Sequence, residues 1–295
     1  MNVALTAVLY GLLAAVSWGF TDFLIGKSSK TVGAMKGALL VNTYGAVIFS
    51  VVYILFFRGQ TVFTVEGVRY AVAGSLFLGL AQATFFKAMN LGPVGLVSSI
   101  SSVYPLVTLL VSVALFTVDV SAVQILGIVL VVGGVVVASG LTDGKSAAKR
   151  LGKGPLLALL PVLGWGLGWV FIAQSMEQMN WPGIFLIETI LTPVVLVILA
   201  PVIKGSERLA VKDFRAGWLL PAVGGAALAQ LIGQLGVNLG MHKSPDSTAV
   251  VVAISACYPV LTIFLAVRHL KEKIPLAPLI GGIVGVSGVV ILSLG

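Results

Sequence analysis

The sequence predicts an all-α membrane protein: ten transmembrane helices arranged as two inverted five-helix repeats. Three observations carry that expectation. Hydrophobic residues make up 58% of the 295 and charged residues only 9%, with a mean hydropathy of +1.10, where a soluble domain carries roughly 25% charged residues. An apolar template of about 20 residues, the length that crosses a hydrocarbon core, fits ten times with turn signals between placements. Finally, the two halves of the chain match each other.

In chain order the predicted spans are 4–26, 35–57, 67–89, 94–116, 121–140, 155–177, 182–203, 215–240, 247–268 and 276–294. The first could be mistaken for a secretion signal. It has no basic leading region and no clear cleavage site, and it exceeds the roughly 7–15 apolar residues of such a segment. It is therefore counted as a span. Short connections follow until 141–153 (LTDGKSAAKRLGK), a linker that marks the single break in hydrophobicity. The expected organisation is a first repeat at 1–140, the linker, and a second repeat at 154–295.

The internal match runs helix by helix. Ser17-Trp18-Gly19 answers Gly164-Trp165-Gly166, and Gly37, Leu40 and Thr43 answer Gly183, Leu186 and Thr189, which sets Asn42 opposite Glu188. Leu80-Ala81-Gln82 and Asn90-Leu91-Gly92 recur 148 residues later, and ISSVYPLVT (100–108) recurs as ISACYPVLT (254–262) at an offset of 154. The change of offset marks 241–246 (MHKSPD) as an extra loop. Because five is odd, the second copy must enter the membrane from the opposite face, which is the inverted-repeat plan found in many secondary transporters.

Composition also excludes functions. The net charge of +8 is spread over gaps between apolar runs and forms no basic stripe or arm, which argues against nucleic-acid binding. A single cysteine, Cys257, leaves no disulfide framework, and His242 and His269 fall in separate loops, so neither a metal site nor a cofactor is expected. With no histidine inside a span and no base for the thiol, an enzyme is not expected either. All but Arg58, Arg69 and Lys243 of the 18 basic residues fall on one side of the predicted topology. By the positive-inside rule that side is cytoplasmic and both termini lie outside.

Trp18-Gly19 in the first span, the segment FFKAMNLGPVGLVSSISSVYPLVTLLVSVALFTVDVSAVQILGIVLVVGGVVV, and their recurrence in the second half resemble the drug/metabolite transporter superfamily, in particular its ten-helix EamA-type members. The resemblance implies a 5+5 inverted repeat in a cytoplasmic membrane, alternating access, and a central cavity lined by spans 1–4 and 6–9, with spans 5 and 10 peripheral. Such members are usually described with cytoplasmic termini, opposite to the charge count. They often carry Gly-Glu between spans 4 and 5, where this chain has Val118-Asp119 and Lys271-Glu272.

Candidate functional residues follow from the cost of polar groups in lipid. Pro105 and Pro259 lack an N–H and clash one turn back, freeing the carbonyls of Ser101 and Ser255. Such breaks are tolerated where protein or water satisfies them, which makes Ser101, Tyr104, Ser255 and Tyr258 candidates for a cavity wall. Glu188 and Asp22 are intramembrane carboxylates that must be paired, protonated or hydrated; both are candidates for proton coupling. Asp22 also has the alternative of an interfacial pair with Lys27. Gln82, Gln230, Gln234 and Asn42 are amides that demand partners, with Gln82 and Gln230 expected to face each other. Trp18, Trp165, Trp169 and Phe86 complete the expected substrate site, since aromatic rings can stack on a ring or a cation. The matched glycines Gly127/Gly134 and Gly281/Gly288 are expected at close helix packing and leave either a monomer or a homodimer open.

The expected function is a secondary carrier of a small polar or amphipathic metabolite, such as an amino acid. The alternatives are a lipid or lipid-precursor flippase and a sugar or nucleoside uptake carrier of the same fold. Substrate and direction of flux are not legible in the sequence.

Overall fold

A computed structural model describes residues 3–116, 121–138, 153–201, 221–244, 248–272 and 276–292. Asp119, most of the expected linker, the start of the expected eighth span and Pro245-Asp246 lie outside them. Every regular element among the described residues is helical: α1 (Val3–Val32), α2 (Ala34–Phe56), α3 (Val65–Leu91), α4 (Val94–Ser101), α5 (Tyr104–Phe116), α6 (Ala122–Ala138), a single turn α7 (Gly154–Leu157), α8 (Leu159–Gln178), α9 (Trp181–Leu199), α10 (Pro221–Lys243), α11 (Thr248–Ser255), α12 (Pro259–Leu265) and α13 (Leu276–Leu292). Eight segments are long and apolar enough to cross a membrane, with α4–α5 and α11–α12 counted as one segment each; α6 and α13 contain shorter apolar stretches, Ile125–Gly134 and Leu279–Ile291. Their outer faces carry large apolar side chains such as Leu55, Val65 and Phe264 in exposed positions, as a hydrocarbon solvent permits.

Local sequence accounts for the ends of these helices. Thr64 caps α3 by accepting the Gly67 amide at 3.0 Å, and its own hydroxyl donates to the Gln178 carbonyl at 3.0 Å, tying the start of α3 to the end of α8. Pro182 opens α9 in the first turn, where a missing N–H costs nothing. The two Tyr-Pro sequences do more than bend a helix. They divide it: α4 stops at Ser101 and α5 begins at Tyr104, while α11 stops at Ser255 and α12 begins at Pro259. Between the pieces the chain tightens to three-residue hydrogen bonds, including Val103 N to Ile100 O at 3.4 Å and Tyr258 N to Ser255 O at 3.3 Å. The Ser255 carbonyl freed by Pro259 is thus taken up by its own chain. It is not left for the cavity, contrary to the sequence expectation.

Packing between the copies is reciprocal. Helix α1 runs along α10 and α3 runs along α8; α9 lies on α3 and α10 lies on α2; α6 pairs with α13. The α6–α13 contact depends on the absence of side chains. A Cβ on Gly134 would sit 2.4 Å from the Gly285 amide nitrogen, and one on Gly288 would sit 2.7 Å from that of Val131, whereas nothing lies within 4 Å of one on Gly133.

One contact joins the copies near a helix end. Glu272 accepts the amides of Val94 (2.9 Å) and Gly95 (3.3 Å) at the start of α4, where two of the orphan N–H groups and the positive end of the helix dipole favour a carboxylate. Its neighbour Lys271 follows a π-helical turn, Ala266–Leu270, and takes a left-handed conformation with φ 55. A glycine adopts that conformation without strain.

Two outcomes are expected in thermal melts of the purified protein. Gly134→Ala should destabilise by about 1–3 kcal/mol, the usual cost of overpacking a close contact, while Gly133→Ala should be neutral or slightly stabilising. Lys271→Gly should raise stability by about 0.5–1 kcal/mol, because the relief of left-handed strain is partly offset by the entropy of an added glycine.

Candidate functional site

The two copies line a cavity of about 80 Å³, several times the roughly 10–15 Å³ that one water needs. Its wall combines residues of both copies. Trp18, Asp22 and Ile25 come from α1, Val41, Asn42, Gly45 and Ala46 from α2, Leu78, Gln82 and Phe85 from α3, and Tyr104 from the break after α4. The second copy supplies Trp165 and Trp169 from α8, Phe185, Glu188, Thr189 and Thr192 from α9, Gln230, Leu231 and Gln234 from α10, and Tyr258 from the break after α11.

The breaks are positioned by a paired arrangement that explains the recurring sequence. Thr108 donates to the Gly166 carbonyl at 3.1 Å, and Thr262 donates to the Gly19 carbonyl at 3.4 Å. A Cβ on Gly166 would approach Val107 Cβ to 2.4 Å, and one on Gly19 would approach Leu261 Cβ to 2.8 Å and the Tyr258 carbonyl to 3.0 Å. The glycine after each first-helix tryptophan therefore lets that helix lie directly on the Tyr-Pro break of the other copy. The tyrosines then cross over. Tyr258 donates to the Ser98 carbonyl at 3.4 Å. Ser255 commits its proton to the Val252 carbonyl at 2.7 Å, so the Tyr104 hydroxyl donates to Ser255 Oγ at 3.2 Å.

Aromatic rings form the wall between these points. Trp18 lies 6.4 Å from Trp169 and 6.1 Å, edge-on, from Tyr258; Trp165 lies 4.8 Å from Phe85 and 5.9 Å from Tyr104. Trp18 presses on Gly233, where a Cβ would come within 2.5 Å of the indole. By the internal match, with the offset of 148, the position equivalent to Gly233 is Phe85, so the same seat holds a ring in one copy and bare backbone in the other.

Both candidate carboxylates lie in this wall and both are buried. Asp22 accepts a hydrogen bond from the Ser98 hydroxyl, with the Thr262 hydroxyl also against it. This is a different environment from an interfacial pair with Lys27. Glu188, only 1% exposed, accepts Gln234 Nε2 at 2.9 Å and Asn238 Nδ2 at 3.2 Å, both on Oε2. Its Oε1 has no hydrogen-bond partner, and neither has the indole nitrogen of Trp18.

Several expected site residues lie elsewhere. Phe86 is fully buried in the packing around α2, α3 and α4, and Phe85, one helical step away, lines the cavity instead. Ser101 faces the other way and donates to the Ala158 carbonyl at 3.3 Å. Ser255 sits behind Tyr104, bonded as above. Pro105 and Pro259 break the helices but do not line the cavity, and Asn42, which does, also donates to its own helix at Ala38 O, 2.8 Å. Sequence reasoning missed Phe185, Thr189, Thr192, Ser98 and Asn238. Thr192 and Thr189 lie within a turn of Glu188, and that spacing was the available signal.

Apolar helices long enough to span a bilayer, packed around a polar and aromatic cavity, define a multi-pass membrane protein. The chain belongs to the EamA-like transporter family, whose model matches it twice, over residues 5–140 and 152–294, in agreement with the resemblance to the drug/metabolite transporter superfamily. Members of that family are membrane transporters and not enzymes. A solved crystal structure titled only as that of a protein shares the fold, with a TM-score of 0.64 at 20% identity over 98% of each chain. No curated protein matches the chain.

Ser98→Ala should destabilise the protein by about 1–3 kcal/mol, since it strips a hydroxyl donor from a buried acid. Chemical or thermal denaturation of the purified variant checks this, with Ser287→Ala as the comparison: its exposed hydroxyl donates within its own helix at 3.0 Å, and its loss should cost under about 0.5 kcal/mol.

Proposed function

We propose that this protein is a secondary transporter that carries a small polar or amphipathic metabolite, of about amino-acid size, across the cytoplasmic membrane by alternating access. The observation that supports this most directly is the shared cavity: both copies contribute its lining residues, so in this reading a change in their relative tilt opens it to one side or the other. The reciprocal packing of α1 on α10 and α3 on α8 supports an inverted-repeat architecture of ten spans, in which α6 and α13 are the fifth and tenth and lie outside the cavity. That arrangement is the usual setting of substrate sites in secondary carriers.

The substrate site in this reading comprises the aromatic wall of Trp18, Phe85, Tyr104, Trp165, Trp169 and Tyr258, with the amides of Asn42, Gln82, Gln230 and Gln234 directing polar groups. Glu188 is the main proton-coupling residue and Asp22 the second. A carboxyl group buried in the bilayer accepts and releases a proton more readily than it exchanges a bare charge with lipid, so its protonation state can follow the side to which the cavity is open. The buried Ser98 and half-buried Gln234 donors hold the two acids in place through the cycle.

Transport in proteoliposomes tests the proposal. The wild-type protein should accumulate substrate in response to an imposed pH gradient. At saturating substrate on both sides, Glu188→Gln should retain substrate exchange between equal concentrations but lose gradient-driven accumulation by at least tenfold. If gradient-driven accumulation persists in that variant, Glu188 does not couple protons. If no solute of a broad metabolite panel crosses, the carrier reading itself fails.

A further inference from the structure

We infer that the cavity selects organic cations: amphipathic amines that carry no carboxylate of their own, with Glu188 Oε1 as the anchor for the ammonium. The inference rests on the carrier reading for its biological meaning but on the cavity alone for its chemistry. Two acidic side chains, Asp22 and Glu188, line this enclosed space, and among the described residues lining it there is no Lys, Arg or His. When ionised, two carboxylates with no basic side chain beside them attract a cation, and more strongly beside apolar rings than in bulk water.

Glu188 identifies where the charge would sit. Its Oε2 already holds two amide donors at 2.9 and 3.2 Å, while Oε1 is buried without any partner. A buried acceptor left unpaired is costly enough that it calls for an explanation. The donor that fits is one brought by a ligand, and an ammonium N–H offers the strongest charge-assisted bond to a carboxylate. The rings that line the same cavity favour the same class. Trp18 lies 6.4 Å from Trp169 and 6.1 Å from Tyr258, and aromatic faces attract cations through their quadrupole. They also bury the apolar body of an amphipathic amine.

The same features disfavour the alternatives. A free amino acid would bring its own carboxylate as a third negative group into a space with no basic side chain among the described lining residues. A neutral sugar would fill the amide positions but leave the acids without a counter-charge.

Isothermal titration of the full-length protein in detergent with three compounds sharing one ring separates these possibilities: phenethylamine (cation), phenylalanine (zwitterion) and 3-phenylpropionate (anion). The expected order is phenethylamine first, phenylalanine at least tenfold weaker, and no detectable 3-phenylpropionate binding. Glu188→Gln should weaken phenethylamine at least tenfold, with the melting curve reporting that the variant is folded. The order among the three compounds on the wild-type protein stands as a test even if the variant does not fold. Equal or tighter binding of phenylalanine, unchanged phenethylamine binding by a folded Glu188→Gln protein, or no binding of phenethylamine at all overturns the inference. Proteoliposome uptake keeps the two readings apart. Transport of a neutral or anionic solute without amine binding overturns the cation assignment and leaves the carrier standing. Amine binding without movement across the vesicle membrane does the reverse.

Discussion

The backbones of Gly19 and Gly166 lie directly on the two Tyr-Pro breaks, and most of what distinguishes this molecule follows from that approach. In hydrocarbon a helix cannot simply stop, because every abandoned N–H and C=O is costly. Here each interruption is closed by tight turns of its own chain and by a threonine that reaches the carbonyl of the opposing glycine. The first helix of one copy thus braces the broken helix of the other, twice over. Only glycine leaves room for it, since a Cβ at either position would collide with Leu261 or Val107. The tyrosines at the breaks are then held against the other copy, and a cavity wall results.

This arrangement shows why parts of the design were legible in sequence and others were not. Trp18 with Trp165, Gln82 with Gln230 and Tyr104 with Tyr258 stand out because an internal duplication reports which positions both copies retained, and all six line the cavity. What a duplication cannot report is rotation about a helix axis. In a soluble helix an apolar stripe fixes the inner face; in α3 both faces are apolar, so Phe85 and Phe86 were indistinguishable. Ser101 and Ser255 stand out in the sequence for their hydroxyls, but the break that makes them prominent also turns them away. The Ser98–Asp22 bond joins residues 76 apart in the chain. No local spacing encodes it.

The glycines separate into two kinds of work. Gly134 and Gly288 bring α6 and α13 together with no side chain between them, on a contact that lies apart from the cavity. Gly233 acts within the site, as the flat surface against which the Trp18 indole rests. The equivalent position in the other copy is Phe85, whose ring meets Trp165 edge-on at 4.8 Å. Both tryptophans are located by one scaffold, but one is backed by a ring and the other by bare chain. The scaffold is symmetric and the chemistry placed on it is not.

The two carboxylates extend that asymmetry. Asp22 occupies the position that Trp169 fills in the second copy, four residues beyond the matched tryptophan, and Glu188 stands where the first copy has Asn42. In a carrier of the proposed kind, two interchangeable halves would make the inward-open and outward-open arrangements related by a two-fold rotation and equal in energy. Negative groups on α1 of one half and α9 of the other remove that degeneracy, so in the carrier proposed above the two orientations would differ in energy even with no solute gradient.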